Sequence, residues 1–501
     1  MQEKLNELKK RLAEISDLHN ATSVLGWDQQ TYMPPGGAAA RAQQLATLSH
    51  IAHEKFIDDA VGYLLEELHP YARSLPYDSD DASIIRVTKR EYDKAHRVPP
   101  SLVSEIAHAS AQAFEAWRKA KGESRFSVFA PCLQRNLDLK KRYAGCLGYT
   151  DSIYDPLLDD YEPGMKTAQV EAIFANVRKE IVPLVHAISS RVNVVDNSFL
   201  HQTFDEQKQW DIGIEAARLI GYDFGRGRQD RAPHPFTTSF SLNDVRITTR
   251  FMDNYFPAGF FATIHETGHA VYNQGIRHEL ERTPLADGAS LGAHESQSRM
   301  WENLVGRSRT FWKFFMPRLQ AVFPEQFRNV NPEQMYRAVN RVQPSFIRVE
   351  ADEVTYNLHI MLRFELENAL LEGRIAVNDL PEAWNARMQE YLGITPPDDA
   401  HGVLQDVHWS YGSFGYFPTY SLGNFFSAQL FDQIKKDIPD LDKYFEKGEF
   451  HILLDWLRTH LHTHGRKFTL DELANKITGE SLQTHSFTAY LKNKYAEIYN
   501  L

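Results

Sequence analysis

The chain has 501 residues, of which 43% are hydrophobic and 24% charged, so it can bury a large core and has the composition of a soluble globular protein. Its 66 acidic and 55 basic side chains give a net charge of −11, which excludes a general affinity for nucleic acid or anionic lipid. Two cysteines are too few for a disulfide framework, and no segment has the apolar length of a signal peptide or a membrane span. We therefore expect a cytoplasmic protein without nucleic-acid or membrane partners.

The first half of the chain has the hydrophobic spacing of α-helices. Leu5, Leu8 and Leu12 recur at helical intervals and predict an amphipathic helix from residue 2 to about residue 20. The prolines and glycines at 34–37 then predict a break in the helical structure. An aromatic and polar cluster at 27–34 suits either a cleft wall or a packed corner between helices. Further helices are predicted over residues 38–56, 78–95, 100–122, 126–147, 167–193 and 204–221.

Residues 236–251 carry the one clear signal for a β-hairpin. Two stretches rich in β-branched and aromatic residues, 236–242 and 245–251, flank Asn243-Asp244, which is typical of a tight turn. A single hairpin needs a surface on which to pack. Because this hairpin directly precedes the next helix, we expect it to line the same cleft as that helix.

That helix is predicted from Pro257 to Gly275 and contains the pattern H-E-x-x-H. Residues four apart on a helix lie nearly one above the other, about 6 Å apart, so His265 and His269 can both bind one ion. Glu266 lies about 100° round the helix and can hold a water on that ion. With 21 histidines in the chain, an accidental match has a chance of roughly a few per cent. Burying two imidazoles and a carboxylate is costly unless something pairs them, which favours a metal site.

Helical spacing resumes beyond this metal helix. No repeat period, low-complexity segment or linker interrupts the pattern. The fold class predicted is all-α, with many helices and one small β-hairpin or sheet, and residues 1–501 forming a single catalytic domain of two helical lobes around a cleft. The predicted segments are 289–320, 332–341, 346–373, 380–391 and 420–435.

Two histidines leave a catalytic zinc one protein ligand short. The helix that begins near Ser290 supplies the candidates, and we choose Glu295 because it completes a set of two imidazoles and one carboxylate. His294 is a competing ligand. Glu302, two turns further along the same face, could instead accept a hydrogen bond from a ligand imidazole.

Six short blocks stand in order along the second half of the chain. They are His234-Pro235-Phe236, Asp244-Val245-Arg246-Ile247-Thr248, His265 to His269, His294-Glu295-Ser296-Gln297, Ile347 to Asp352, and Gly402 to Trp409. Read together, these blocks resemble the signature set of the carboxypeptidase Taq family of zinc metallocarboxypeptidases.

The resemblance implies a fold, a cofactor and an activity. It implies an all-helical fold with a deep cleft, a cytoplasmic homodimer, and release of single residues with broad preference from peptides that have a free C-terminus. It also implies one Zn²⁺ per chain, which Co²⁺ could replace, with Glu295 as the third ligand.

The remaining candidates follow from the chemistry of peptide hydrolysis. Glu266 would take a proton from the attacking water and pass it to the leaving amine. The oxyanion needs a further donor, and either His408 or Tyr420 suits that role, although each could equally be a structural hydrogen-bonding group in an aromatic corner.

An enzyme that acts at the C-terminus must also recognise a free carboxylate, for which a guanidinium gives a planar two-point contact. Arg348 and Arg246 are the candidates, and His234 could assist in binding substrate. Arg348 is predicted to begin a helix, where pairing with Glu350 or Asp352 is the structural alternative.

Two other functions fit the same sequence. A similar helical cleft could cut as an oligoendopeptidase or a dipeptidyl carboxypeptidase. The chain could also be a non-catalytic peptide-binding scaffold whose metal site is incidental.

Overall fold

The computed structural model describes residues 1–501 and contains 21 α-helices and one three-stranded sheet, which confirms the all-α prediction. The strands are β1 (Gln229–Arg231), β2 (Thr237–Ser241) and β3 (Asp244–Thr249). None of the helices combines the length and hydropathy that crossing a membrane requires.

The helices are α1 (Gln2–Thr31), α2 (Ala38–Phe56), α3 (Asp59–Ser74), α4 (Asp80–Arg97), α5 (Pro100–Gly122), α6 (Ala130–Leu147), α7 (Asp155–Leu158), α8 (Thr167–Ser189), α9 (Glu206–Ile220), α10 (Phe256–Gly275), α11 (Leu291–Arg299), α12 (Arg309–Val322), α13 (Pro324–Phe327), α14 (Pro332–Val339), α15 (Tyr356–Leu371), α16 (Leu380–Leu392), α17 (Pro418–Asp437), α18 (Leu441–Phe445), α19 (His451–His460), α20 (Leu470–Thr478) and α21 (His485–Tyr499).

The chain forms two compact units, each made of three separate stretches of sequence. Because the stretches alternate along the chain, neither unit corresponds to a contiguous fragment. The first unit consists of Met1–His96, Asp196–Val339 and Leu430–Ser481, and the second of Arg97–Val195, Asn340–Gln429 and Leu482–Leu501.

Helix α10 forms the centre of the first unit. Its first turn carries Pro257, whose fixed φ suits a helix start, and most of its later residues are buried. Phe260 stacks among the aromatic rings of α12, 5.3 Å from the ring centroid of Phe315. The helix also packs against β3, α9 and α11, so neighbouring elements surround its polar residues on several sides.

The sheet places β3 between the other two strands. β1 runs parallel to β3 and β2 runs antiparallel to it, with Thr237 opposite Ile247 and Thr238 opposite Arg246. The predicted hairpin is therefore confirmed, whereas β1 was not predicted, because its Gln-Asp-Arg sequence has no apolar alternation. β2 is an edge strand that pairs with β3 alone.

Among the predicted helices, three differ most from the limits that the structure shows. Helix α1 continues to Thr31, although its buried apolar spacing weakens after Ile15. The segment predicted over 289–320 is divided into α11, a π-helical stretch from Met300 to Gly306, and α12, whose first turn is capped by Ser308.

The helix predicted over 346–373 begins only at Tyr356. Arg348 to Glu350 form a single 3₁₀ turn, so the prediction that Arg348 begins a helix is wrong. The cause is Asp352, whose carboxylate accepts hydrogen bonds from the backbone N–H groups of Val354 and Thr355 and holds these residues in a turn before the helix.

Candidate active site

Helices α10 and α11 bring three ligand groups together within the first unit. The Nε2 atoms of His265 and His269 lie 3.6 and 3.5 Å from the same carboxylate oxygen, Glu295 Oε2. All three ligand atoms lie within 4.8 Å of one another, and Glu295 is buried. The four-residue spacing on α10 is what places the two imidazoles on one face.

These residues fit a tetrahedral divalent ion. With bonds of about 2.0–2.1 Å, neighbouring ligand atoms in a tetrahedral zinc site lie roughly 3.3–3.5 Å apart, close to the two distances between Glu295 and the imidazoles. Three protein ligands leave one position for water or substrate, as a hydrolytic site requires. His294, the competing ligand, is turned away from this group, because its ring nitrogens face His269 Nδ1 at 3.4 Å and Asp287 Oδ1 at 3.3 Å.

Arg299 binds one oxygen of Glu295 and leaves the other facing the two imidazoles. Its Nε donates to Glu295 Oε1 at 2.7 Å, so that oxygen is engaged while Oε2 faces the imidazoles. Burial alone would raise the pKa of Glu295, but Arg299 and His265 outweigh it and hold the pKa well below its usual range. Glu295 is therefore a carboxylate, which is the form that binds a metal ion.

The outer nitrogen of each ligand imidazole is also held. His265 Nδ1 donates to Glu302 Oε2 at 2.9 Å, in agreement with the interpretation of Glu302 as an acceptor for a ligand imidazole. Glu302 lies in the π-helical stretch, and contacts from Arg299 and Arg307 help to keep the pKa of its carboxyl far below its ordinary value despite burial. His269 Nδ1 instead meets the imidazole of His294.

Burial perturbs the two histidines differently. It lowers the pKa of His269 to about 4, so this ring is neutral at pH 7 and able to bind a metal. Burial also acts to lower the pKa of His265, but the carboxylates of Glu295 and Glu302 reverse the shift and raise it.

Glu266 is buried beside the ligands and points towards the sheet. Thr237 at the start of β2 donates from Oγ1 to Glu266 Oε2 at 2.7 Å. Burial raises the pKa of Glu266. His265 and the Thr237 hydroxyl act to lower this pKa but offset only part of the effect of burial. A carboxylate with a raised pKa next to a metal site is suited to accept and release protons.

The sequence-predicted residues of the second unit form a cluster around Asp406. Arg348 donates to Asp406 Oδ1 from Nε at 3.0 Å and from Nη2 at 2.9 Å, so it pairs with neither Glu350 nor Asp352. Arg363 donates to the other carboxylate oxygen from Nε at 2.7 Å. Despite burial, the two guanidinium groups hold the pKa of Asp406 far below its usual range.

His408 and Tyr420 lie at the side of this cluster. The Tyr420 hydroxyl is 3.4 Å from His408 Nε2, and His408 Nδ1 is 3.9 Å from Asp406 Oδ1. Burial lowers the pKa of His408 to about 4, so the ring is neutral near pH 7. The two candidates for the oxyanion donor therefore touch each other.

Arg246 and His234 are not brought into contact with the metal ligands. Arg246 donates to both oxygens of Asp244 at 2.8 Å, and its guanidinium lies 4.4 Å from the Trp27 ring centroid. Trp27 is buried against Phe240, which is the packed corner considered for residues 27–34. His234 is exposed in the segment that precedes β2.

The sequence analysis did not single out Arg299, Arg363, Asp406 or Thr237, which take part in these hydrogen-bond networks. Arg299 could have been found, because a Glu and an Arg four apart on a helix are neighbours. Asp406 stands inside the block that carries His408, but nothing in the sequence pairs it with Arg348 or Arg363. Thr237 is one of several hydroxyl residues in the hairpin, and only the register shows which one faces Glu266.

Comparison with known proteins agrees with this geometry. The sequence profile of the carboxypeptidase Taq (M32) metallopeptidases matches residues 7–495. The chain is 39% identical to carboxypeptidase 1 of Bacillus subtilis, over 99% of this chain and 98% of that protein. It is 41% identical to thermostable carboxypeptidase 1 of Thermus thermophilus, over 97% of each. The crystal structure of an M32 carboxypeptidase from Deinococcus radiodurans superimposes with a TM-score of 0.96 at 38% identity, covering 99% of this chain and 100% of that one. The resemblance of the six blocks is thereby confirmed: the chain belongs to the carboxypeptidase Taq (M32) family and is a metallocarboxypeptidase, a hydrolase of peptide bonds.

Proposed function

We propose that this metallocarboxypeptidase uses zinc to release single amino acids from the free C-terminus of peptides with broad preference. The observation that carries the proposal is the approach of two imidazole nitrogens and one carboxylate oxygen on the face of α10 next to Glu266. Two nitrogen ligands and one oxygen ligand are a donor set typical of hydrolytic zinc sites, and Co²⁺ accepts the same set.

The chain's own residues supply the proton transfers. When bound, the ion would lower the pKa of a coordinated water and polarise the scissile carbonyl. Glu266 accepts the proton of the attacking water and then donates it to the leaving amine, a double role that its raised pKa supports. Tyr420 or His408 is proposed to donate a hydrogen bond to the oxyanion.

Arg348 is proposed to bind the terminal carboxylate of the substrate. Two guanidinium groups and one carboxylate leave the cluster of Arg348, Arg363 and Asp406 with an excess of one positive charge, while burial keeps His359 and His408 neutral near pH 7. Three of the five N–H groups of Arg348 bond to Asp406 and to the Tyr356 hydroxyl, which leaves two for a ligand. An excess positive charge in a buried setting favours an incoming anion.

The Arg348→Lys variant tests this assignment. Lysine retains the charge but loses the planar fork, so we expect kcat/KM on peptides with a free carboxylate to fall by about 10- to 100-fold, the loss of one or two charge-assisted hydrogen bonds. C-terminally amidated peptides should be poor substrates of the wild type, and the variant should not lower their turnover further. Steady-state kinetics on matched free and amidated peptides measure both effects.

Lysine is preferred to alanine here because Asp406 keeps a cationic neighbour. Arg374→Lys, a change at an exposed arginine paired with Glu372, is the matched control and should leave both peptide series unchanged. Equal losses on free and amidated peptides would remove Arg348 from carboxylate recognition.

Broad preference is proposed to arise from main-chain recognition at β2. An extended peptide can add to an unpaired strand edge through backbone hydrogen bonds, which do not depend on its side chains. Arg246 on β3 and His234, which precedes β2, are proposed to contact the substrate as well.

The assembly and location of the enzyme are also proposals. We propose that residues 1–501 act as one catalytic domain, in a cytoplasmic homodimer. The homodimer rests on the family resemblance, and light scattering of the purified protein tests it. The location rests on the resemblance together with the two cysteines and the absence of a signal-like segment in the sequence.

A further inference from the structure

We propose that Thr237 is a positioning residue that fixes the carboxylate of Glu266 and couples it to the strand edge where peptide binds. The inference rests on the proposed role of Glu266 as the group that moves the proton. It adds a residue of β2 to a site otherwise built from α10 and α11.

The hydroxyl of Thr237 lies within hydrogen-bonding distance of two oxygens of Glu266, and its one hydrogen can be donated to either of them. Thr237 Oγ1 lies 2.7 Å from Glu266 Oε2 and 3.0 Å from the backbone oxygen of the same residue. A single side chain thereby fixes the end of the glutamate relative to its own main chain, which restricts its rotamers. Glu266 Oε1 has no hydrogen-bond partner within the protein, so one oxygen is held while the other is left for water.

A hydroxyl suits this task because it both donates and accepts. It can donate to the carboxylate of Glu266 before proton transfer. Once Glu266 carries the proton, the hydroxyl can accept from the carboxyl group and donate to the backbone oxygen. The same position of Glu266 is thus supported through both proton transfers, and no further group has to move.

The register of the sheet adds the second part of the proposal. The N–H groups of Val245 and Ile247 donate towards the β1 side of β3, to the carbonyls of Arg226 and Arg228. Their partners in β2 are Ser239 and Thr237, so the main-chain groups of these two residues point off the unpaired edge. Thr237 therefore presents its backbone to an added peptide strand and its side chain to Glu266.

The test compares three variants of the metal-loaded protein. Thr237→Val has nearly the same shape without the hydroxyl, and we expect kcat to fall by about 10- to 100-fold with KM changed by less than about twofold. Thr237→Ser restores the hydroxyl and should recover kcat to within about threefold. Thr459→Val makes the same chemical change at an exposed residue of α19 and should leave kcat unchanged. Metal content and melting temperature are measured for all three, and Thr237→Ala is the second variant if Thr237→Val folds poorly.

A double-mutant cycle separates positioning from a general structural effect. In a Glu266→Asp background the shortened carboxylate is beyond the reach of the hydroxyl, so Thr237→Val should lower kcat no further. An equal loss in both backgrounds, or an unchanged kcat in Thr237→Val alone, would overturn the inference. If the wild-type protein released no C-terminal residues, the proposed function would fail instead, so the two failures are distinguishable.

Discussion

Replacing Glu266 with glutamine is expected to lower kcat by about 100- to 10,000-fold while the protein stays folded and keeps its metal ion. The amide has almost the shape of the carboxylate but cannot accept a proton from the attacking water. It can still pair with Thr237 Oγ1, which can donate to the amide oxygen at the place where it now donates to Oε2. Steady-state kinetics, metal analysis and thermal unfolding of the same preparation measure the three properties.

The matched control is Glu325→Gln, a substitution at an exposed residue in the first turn of α13. It should change none of these properties. Hydrolysis retained at the wild-type rate in Glu266→Gln would overturn the role given to Glu266, whereas loss of metal would make it a structural residue of the site.

The Glu295→Gln variant is expected to lose activity for a different reason. Glu295 is ionised at neutral pH because its pKa is held well below the usual range, and the neutral amide of glutamine is a much weaker metal ligand than a carboxylate. Loss of a hydrogen bond that supports a ligand typically lowers metal affinity by about 10- to 100-fold. Loss of the ligand itself should therefore lower the affinity by more than about 100-fold. Arg299 retains its contact with Glu302, 3.1 Å from Nη1 to Oε2, so the fold should survive the loss of one partner. Titration of the metal-free protein with Zn²⁺ or Co²⁺ measures the affinity.

Glu302→Gln provides the graded comparison. It removes the charge of the group that accepts from His265 Nδ1 without touching a ligand atom, so affinity should fall by only about 10- to 100-fold. The reverse order of these two effects would contradict Glu295 as the ligand and favour Glu302.

The spacing of apolar residues along the sequence predicted most of the helices, because the residues at these positions are the ones that the fold buries. The limits of α2 and α5 agree with prediction. Prolines and glycines precede the start of α2, and α5 begins at Pro100 and ends at Gly122. The prediction of a helix in the N-terminal part of the segment 346–373 was wrong for a physical reason. The carboxylate of Asp352 accepts hydrogen bonds from backbone N–H groups and so stabilises a turn in place of a helix, which apolar spacing does not report.

The cluster of candidate metal ligands could be predicted because its chemistry is local. His265 and His269 share one turn of helix, and Glu295 was the acid that completed the set, with the family resemblance deciding between alternatives. Contacts distant in sequence could not be inferred in the same way. The pairing of Arg348 with Asp406 depends on how the two segments pack, and the sequence offered Glu350 and Asp352 as nearer partners.

Mass spectrometry of the products formed from one defined peptide, with and without a chelator, tests the central claim most directly. We expect successive loss of single residues from the free C-terminus, which ceases with chelator and returns when Zn²⁺ is added. Internal cuts or released dipeptides would contradict the carboxypeptidase assignment in favour of an oligoendopeptidase or a dipeptidyl carboxypeptidase. An intact peptide in the presence of metal-loaded protein would indicate a binding scaffold, and cleavage that persists in chelator would contradict a site built from His265, His269 and Glu295.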